Sequence, residues 1–140
     1  MKNIFLTLLI IFSSFSFVDV LPQSMETGIN IIPKPKSLIV NEGTFKLNAN
    51  TKVFYKKEAK QIAEYFLEII NPSTGFDLMI KEWNNKVEDN SIIISRSNTS
   101  NNTGQESYTL VVNSNNVMIE AAELNGLFYG VQTLRQLLPI

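Results

Sequence analysis

The chain has 140 residues, 44% of them hydrophobic and 18% charged, with 12 basic against 13 acidic side chains. That is the size and balance of one globular domain, and it excludes disorder driven by net charge. A formal charge of −1 argues against nucleic acid as a partner, and the absence of histidine and cysteine excludes disulfides, zinc sites with nitrogen or sulfur ligands, and any Ser-His-Asp or Cys-His relay.

Residues 1–24 read MKNIFLTLLIIFSSFSFVDVLPQS. Lys2 followed by the apolar run Ile4 to Phe12 has the form of a signal peptide, since the run is too short for a membrane span of about 20 residues. Small residues at Ser14 and Ser16 set one cleavage position and Ser24 the latest, so cleavage is expected between about 16 and 24. The alternatives are a buried N-terminal helix or an anchor. Cleavage implies export to the periplasm or the extracellular space, with no stable membrane anchor afterwards.

Residues 25–30 are polar and read as a linker. Pro33 and Pro35 in IIPKPK then forbid helix and favour extended backbone. Ser37 to Val40 and Thr44 to Leu47 are expected to be two strands of a hairpin around Asn41-Glu42-Gly43, where glycine permits positive φ. Lys52 to Tyr55 is a third strand. The period then changes. From Lys57 to Ile70, the residues Ile62, Tyr65, Phe66 and Ile69 form one apolar stripe of a helix that is expected to end at Asn71-Pro72.

Asp77 to Lys81 and Ser91 to Ser95 are the next strands, joined by a polar segment that carries Trp83. The unbroken apolar run in SIIIS marks a central strand buried on both faces. Arg96 to Gln105 is a surface loop, and Tyr108 to Val112 and Val117 to Ala121 form a hairpin around Asn113 to Asn116. A second amphipathic helix follows, with Leu124, Leu127, Phe128, Val131, Leu134 and Leu138 inward and its stop at Pro139. The fold class is therefore α+β: a two-layer, mixed but largely antiparallel sheet with two helices packed on one face, and one parallel crossover within residues 52–81.

Little in the chain points to chemistry of its own. Glu88-Asp89 could be an acid–base pair, but neighbours in a polar stretch read more simply as a solvated turn. Gly126 and Gly130 have the G-x-x-x-G spacing, which more often permits close helix packing than ligand contact. Asn98 and Asn101 fit the N-glycosylation pattern, which matters only in a eukaryotic exported protein; otherwise they are loop asparagines. Trp83 could stack on a sugar or tuck under a loop as a satellite of the core. No cofactor and no metal is expected.

Three blocks in fixed order carry a resemblance: Ile32-Pro33-Lys34-Pro35 with Gly43-Thr44-Phe45; Glu106 to Val112 with Val117 to Ala121; and GLFYGVQTLRQLLP from Gly126 to Pro139. Together they resemble the N-terminal, zincin-like accessory domain of β-N-acetylhexosaminidases, glycoside hydrolase family 20, over residues 31–139. The resemblance implies a domain packed beside a catalytic (β/α)8 barrel of the same parent chain, in an enzyme that removes terminal non-reducing N-acetylhexosamine residues from glycans. Such enzymes retain configuration by substrate assistance: the 2-acetamido oxygen attacks the anomeric carbon, an Asp orients it, and the adjacent Glu is general acid and then base.

This sequence contains no Asp-Glu dipeptide, and the barrel is expected to be absent from the chain, so no catalytic residue is carried over. In some members a sugar-binding arginine falls in the last block, and motif alignment puts Tyr129 at that position; Arg135 lies elsewhere and is not a substitute. The expectation is an inactive fragment of an exported hexosaminidase whose last helix exposes an apolar strip. The alternatives are a free-standing carbohydrate-binding module and the accessory domain of another glycosidase such as an α-glucuronidase.

Overall fold

A computed structural model describes residues 28–97 and 104–138. The proposed signal peptide, the first part of the 25–30 linker, both glycosylation asparagines and Pro139 lie outside the described residues. Five strands and two helices follow one another as β1 (Lys52–Tyr55), α1 (Lys60–Thr74, preceded by a 3-10 turn at Lys57–Ala59), β2 (Ile80–Glu82), β3 (Ser91–Arg96), β4 (Thr109–Val112), β5 (Asn116–Ala121) and α2 (Leu124–Leu137). No described helix is long and apolar enough to cross a membrane.

The strands form one sheet in the order β2-β1-β3-β5-β4. The α+β, two-layer, mixed architecture is as expected, but the sheet is not largely antiparallel. β1 is parallel to both β2 and β3, and β3 is parallel to β5; antiparallel pairing joins β4 and β5 alone. α1 supplies the expected parallel crossover between β1 and β2. The polar stretch 83–90 then returns past β1, so β2 and β3, consecutive in sequence, flank β1 instead of pairing with each other.

SIIIS is the middle strand, and Ser91 to Ser95 are all buried. Strand alternation sends Ile92 and Ile94 to one face with Val53, Val117, Ile119 and Ala121, against Ala59, Ala63, Phe66 and Ile70 near and along α1 and Leu127, Val131 and Leu134 of α2. Both helices therefore cover this first face. On the second face, register sets Lys81, Phe54, Ile93, Met118 and Val111 in one row across the sheet. The stripe on α1 is wider than expected: Phe66 is its centre with Ala63 and Ile70, and Ile62, Tyr65 and Ile69 pack at its margins.

Boundaries depart from expectation at β2, which covers Ile80–Glu82 instead of Asp77 to Lys81, and at the end of the first helix. α1 does not stop at Asn71-Pro72 but runs to Thr74, with Pro72 inside its last turn. Pro72 lies on the exposed side, where water can serve the Glu68 carbonyl left without an N–H. The Ser73 and Thr74 hydroxyls donate to the Ile69 and Ile70 carbonyls at 2.8 and 2.7 Å, and Gly75 closes the helix at φ 71°, its N–H donating to the Asn71 carbonyl. Asn71 also accepts from and donates to the Leu78 backbone, both at 3.1 Å, which fixes the approach to β2.

The hairpin expected at 37–47 is absent as a ladder: neither Ser37 to Val40 nor Thr44 to Leu47 is a strand. Gly43 does take positive φ, at 108°. Side chains hold the segment instead. Phe45 and Leu47 pack on the core, while Leu38, Ile39 and Val40 remain exposed. At its start Ile31 is buried, and the Gln136 amide clasps Ile32, accepting its N–H and donating to its carbonyl, both at 2.9 Å.

Candidate functional site

The residues singled out in the sequence fall at three separate places. Tyr129 stands on the outward side of α2, 40% exposed, its ring edge-on to Phe128 at 5.6 Å between centroids. Phe128 in turn meets Tyr65 of α1 at 5.3 Å, and the Gln132 amide donates to the Tyr65 hydroxyl at 2.6 Å. These contacts seam the two helices together. Arg135 is exposed one turn and a half further along α2. The outward surface of α2 thus carries Leu124, Tyr129 and, clasped beside Gln136, Ile32, which is 81% exposed.

Gly126 and Gly130 face the other way. A Cβ on Gly126 would meet the Ser107 carbonyl oxygen at 2.3 Å and the Ala121 Cβ at 2.8 Å; one on Gly130 would meet the Ile119 Cγ2 at 2.5 Å. The G-x-x-x-G spacing is a packing device, laying α2 directly on β5 and on the lead-in to β4. Tyr108 completes the contact, its hydroxyl 2.5 Å from Thr133 Oγ1.

Glu88 and Asp89 lie on the stretch between β2 and β3. Glu88 pairs with Lys52 at 2.5 Å, and both side chains are partly exposed. The hydrogen bond from Lys52 holds the Glu88 carboxyl below the usual 4.5, opposed by desolvation and helped by the charges of Lys52, Lys86 and Lys81. A catalytic acid needs the opposite shift, so the solvated-turn reading suits Glu88 better. Because the folded-state value is depressed, the pairing helps the fold above the ordinary glutamate range and is lost as pH falls through the lowered value. Replacing Lys52 with methionine is expected to bring the Glu88 titration back toward 4.5, read from the side-chain carboxyl resonance in NMR. An unmoved midpoint would contradict the assignment.

Trp83 follows β2, and its backbone N–H donates to the Tyr55 carbonyl at 2.8 Å, prolonging the β1–β2 ladder by one bond. Its indole Nε1–H donates to the Lys86 carbonyl at 2.9 Å, and the Lys56 ammonium lies 5.5 Å from the ring centroid. Trp83 is therefore half-buried and fixed, neither wholly under a loop nor freely exposed. The Lys56 contact was not legible in the sequence, because it depends on the parallel register of β1 and β2. Among the described residues, no group of three or more acidic side chains is placed to hold a metal ion. The surface hollows at Gly104 to Ser107 and between α1 and Ile80 are open to solvent.

The sequence model described as "Glycosyl hydrolase family 20, domain 2" matches residues 28–140. A beta-hexosaminidase of Porphyromonas gingivalis is 33% identical over 115 residues, which take in 81% of this chain and 14% of that protein. Among solved structures, the GH20 beta-N-acetylhexosaminidase of Streptomyces coelicolor superposes with a TM-score of 0.69 at 31% identity, over 78% of this chain and 21% of that one. A mutant Streptomyces plicatus beta-hexosaminidase in complex with its product GlcNAc gives 0.68 at 30% identity, over 78% and 21%. The chain spans about a seventh to a fifth of the length of these relatives.

Proposed function

The chain belongs to glycosyl hydrolase family 20, matching its domain 2, and from that premise we propose that it is the N-terminal part of an exported β-N-acetylhexosaminidase. In this reading the parent protein hydrolyses terminal non-reducing N-acetylhexosamine residues by a retaining, substrate-assisted route, and the domain itself is non-catalytic. The carrying observation is the match over residues 28–140 to relatives that are several times longer. The surface chemistry supports it. Glu88 sits beside a lysine with its acidity increased, the opposite of what a general acid needs.

The proposed role of the domain is to pack against the (β/α)8 barrel of the same polypeptide through the outward side of α2. Leu124, Tyr129 and Ile32 give that side more apolar surface than a solvated helix needs. Tyr129 would then be an interface residue first, whatever it contributes toward sugar. Export would follow from residues 1–24.

The test is hydrolysis of a chromogenic N-acetylglucosaminide by two proteins, residues 1–140 alone and the product of the gene read onward through a barrel-length segment. The longer protein is expected to turn over the substrate and the shorter one to release no chromophore. Turnover by residues 1–140, or a longer protein without an adjacent Asp-Glu pair, would overturn the reading.

A further inference from the structure

We propose that the β1–β2 edge of the second sheet face binds acidic polysaccharide, with Trp83 as the platform for one sugar ring and Lys56, Lys81 and Lys86 holding its carboxylate or sulfate groups. The choice of a glycan as ligand rests on the hexosaminidase reading; the site itself rests on its geometry.

The register places these groups together. Phe54 faces Lys81, and Tyr55 faces Glu82, so the next pair along the parallel ladder is Lys56 and Trp83. Alternation sends Lys81 and Trp83 to the same face and Glu82 to the other. Lys81 and Lys56 are then diagonal neighbours on that face. The turn after Trp83 brings Lys86 back to the indole, with its N–H bonded to Asn84 Oδ1 at 3.0 Å and Asn85 at positive φ.

The charges on this edge are poised for a ligand. Lys52 is neutralised by Glu88, whereas Lys56, Lys81 and Lys86 make no ion pair among the described residues. The Lys56 ammonium lies over an indole whose orientation is fixed by its own Nε1–H bond, and Lys81 and Lys86 stand on the same edge of the sheet. A half-buried, immobile aromatic ring loses little freedom when a pyranose stacks on it, and point-charge ammoniums suit carboxylate and sulfate. A nucleic acid is the less fitting polyanion: stacking along a strand needs a series of exposed aromatic rings, and this face of the β1–β2 edge presents Trp83 with Phe54 buried beside it.

That single tryptophan makes the test direct, because all indole emission reports on Trp83. Chondroitin sulfate, an alternating polymer of uronate and sulfated N-acetylhexosamine, is titrated into the chain at low salt. The emission is expected to change and saturate, to lose the change in roughly 0.5 M NaCl, where charge attraction is screened within a few ångströms, and to show at least a tenfold weaker affinity after combined Lys81→Glu and Lys86→Glu substitution. Both lysines are exposed, so circular dichroism of that variant should match the parent. The proposal is overturned by no saturable change, by equal affinity in the variant, or by equally tight binding of a neutral chitin hexamer or of duplex DNA. Chromogenic hydrolysis and this titration fail independently, so the loss of one reading is distinguishable from the loss of the other.

Discussion

Substituting Gly126 with alanine is expected to destabilise the domain by about 3 kcal/mol or more, the upper range for forcing an atom into a packed interior. Helix propensity alone predicts the reverse sign, since alanine improves on glycine by about 1 kcal/mol in a helix interior. Sterics decides. The added Cβ would lie 2.3 Å from a backbone carbonyl oxygen and 2.8 Å from another Cβ, neither of which can rotate away. Relief requires lifting α2 from β5, which would also part Leu127 and Val131 from the strand residues beneath them. Gly130→Ala is expected to cost somewhat less, because its nearest neighbour is the Ile119 side chain, although that residue is itself fully buried. Urea unfolding followed by circular dichroism would read a fall in midpoint on the order of 1–2 M for Gly126→Ala. A rise in midpoint would mean that α2 does not lie on the sheet as described.

Phe66→Ala is the second large effect, expected at about 3–5 kcal/mol. Phe66 is fully buried at the centre of the α1 stripe, where truncation leaves a cavity between the helix and the sheet. Total stabilities run at roughly 5–15 kcal/mol, so such a loss is a large share of the whole and, at the low end of that range, leaves a substantial unfolded fraction even without denaturant. Its neighbour serves as the control. Tyr65→Phe removes the hydroxyl that accepts from Gln132 and is expected to cost only about 1 kcal/mol, because both residues reach solvent. Comparable losses for the two variants would contradict the assignment of Phe66 to the core and Tyr65 to the helix seam.

The contrast between what the sequence specifies locally and what it leaves to tertiary pairing runs through the whole domain. Apolar periodicity located both helices, and the unbroken SIIIS run located the middle strand, because each pattern records one-sided or two-sided burial in consecutive residues. Asn113 to Asn116 marked the β4–β5 hairpin, since turn residues act on their own neighbours. Parallel pairing has no such signature. Whether 83–90 turns a hairpin or carries the chain past β1 depends on where β1 lies, which those residues do not encode. The segment 37–47 shows the converse: its residues suit strands, but its hold on the body comes from Phe45 and Leu47 and not from a ladder. Pro72 signals a stop because proline usually is one; two hydroxyls and a glycine further on carry the helix through it. For the candidate site, Trp83 was visible as a residue and Lys56 was not, since the two meet only across paired strands.

The Gln136 clasp on Ile32 joins positions 104 residues apart. Closing a loop of that length early in folding would cost chain entropy long before any contact repaid it, so the clasp belongs at the end of the folding sequence, once α2 is seated. It consists of two solvent-accessible hydrogen bonds together with the buried side chain of Ile31, far less than what holds the middle of the sheet. What closes last and is held least also opens first. The stretch ahead of Gly43 can therefore peel from α2 and return while β3 and its neighbours stay protected, a fraying unit within an otherwise cooperative domain.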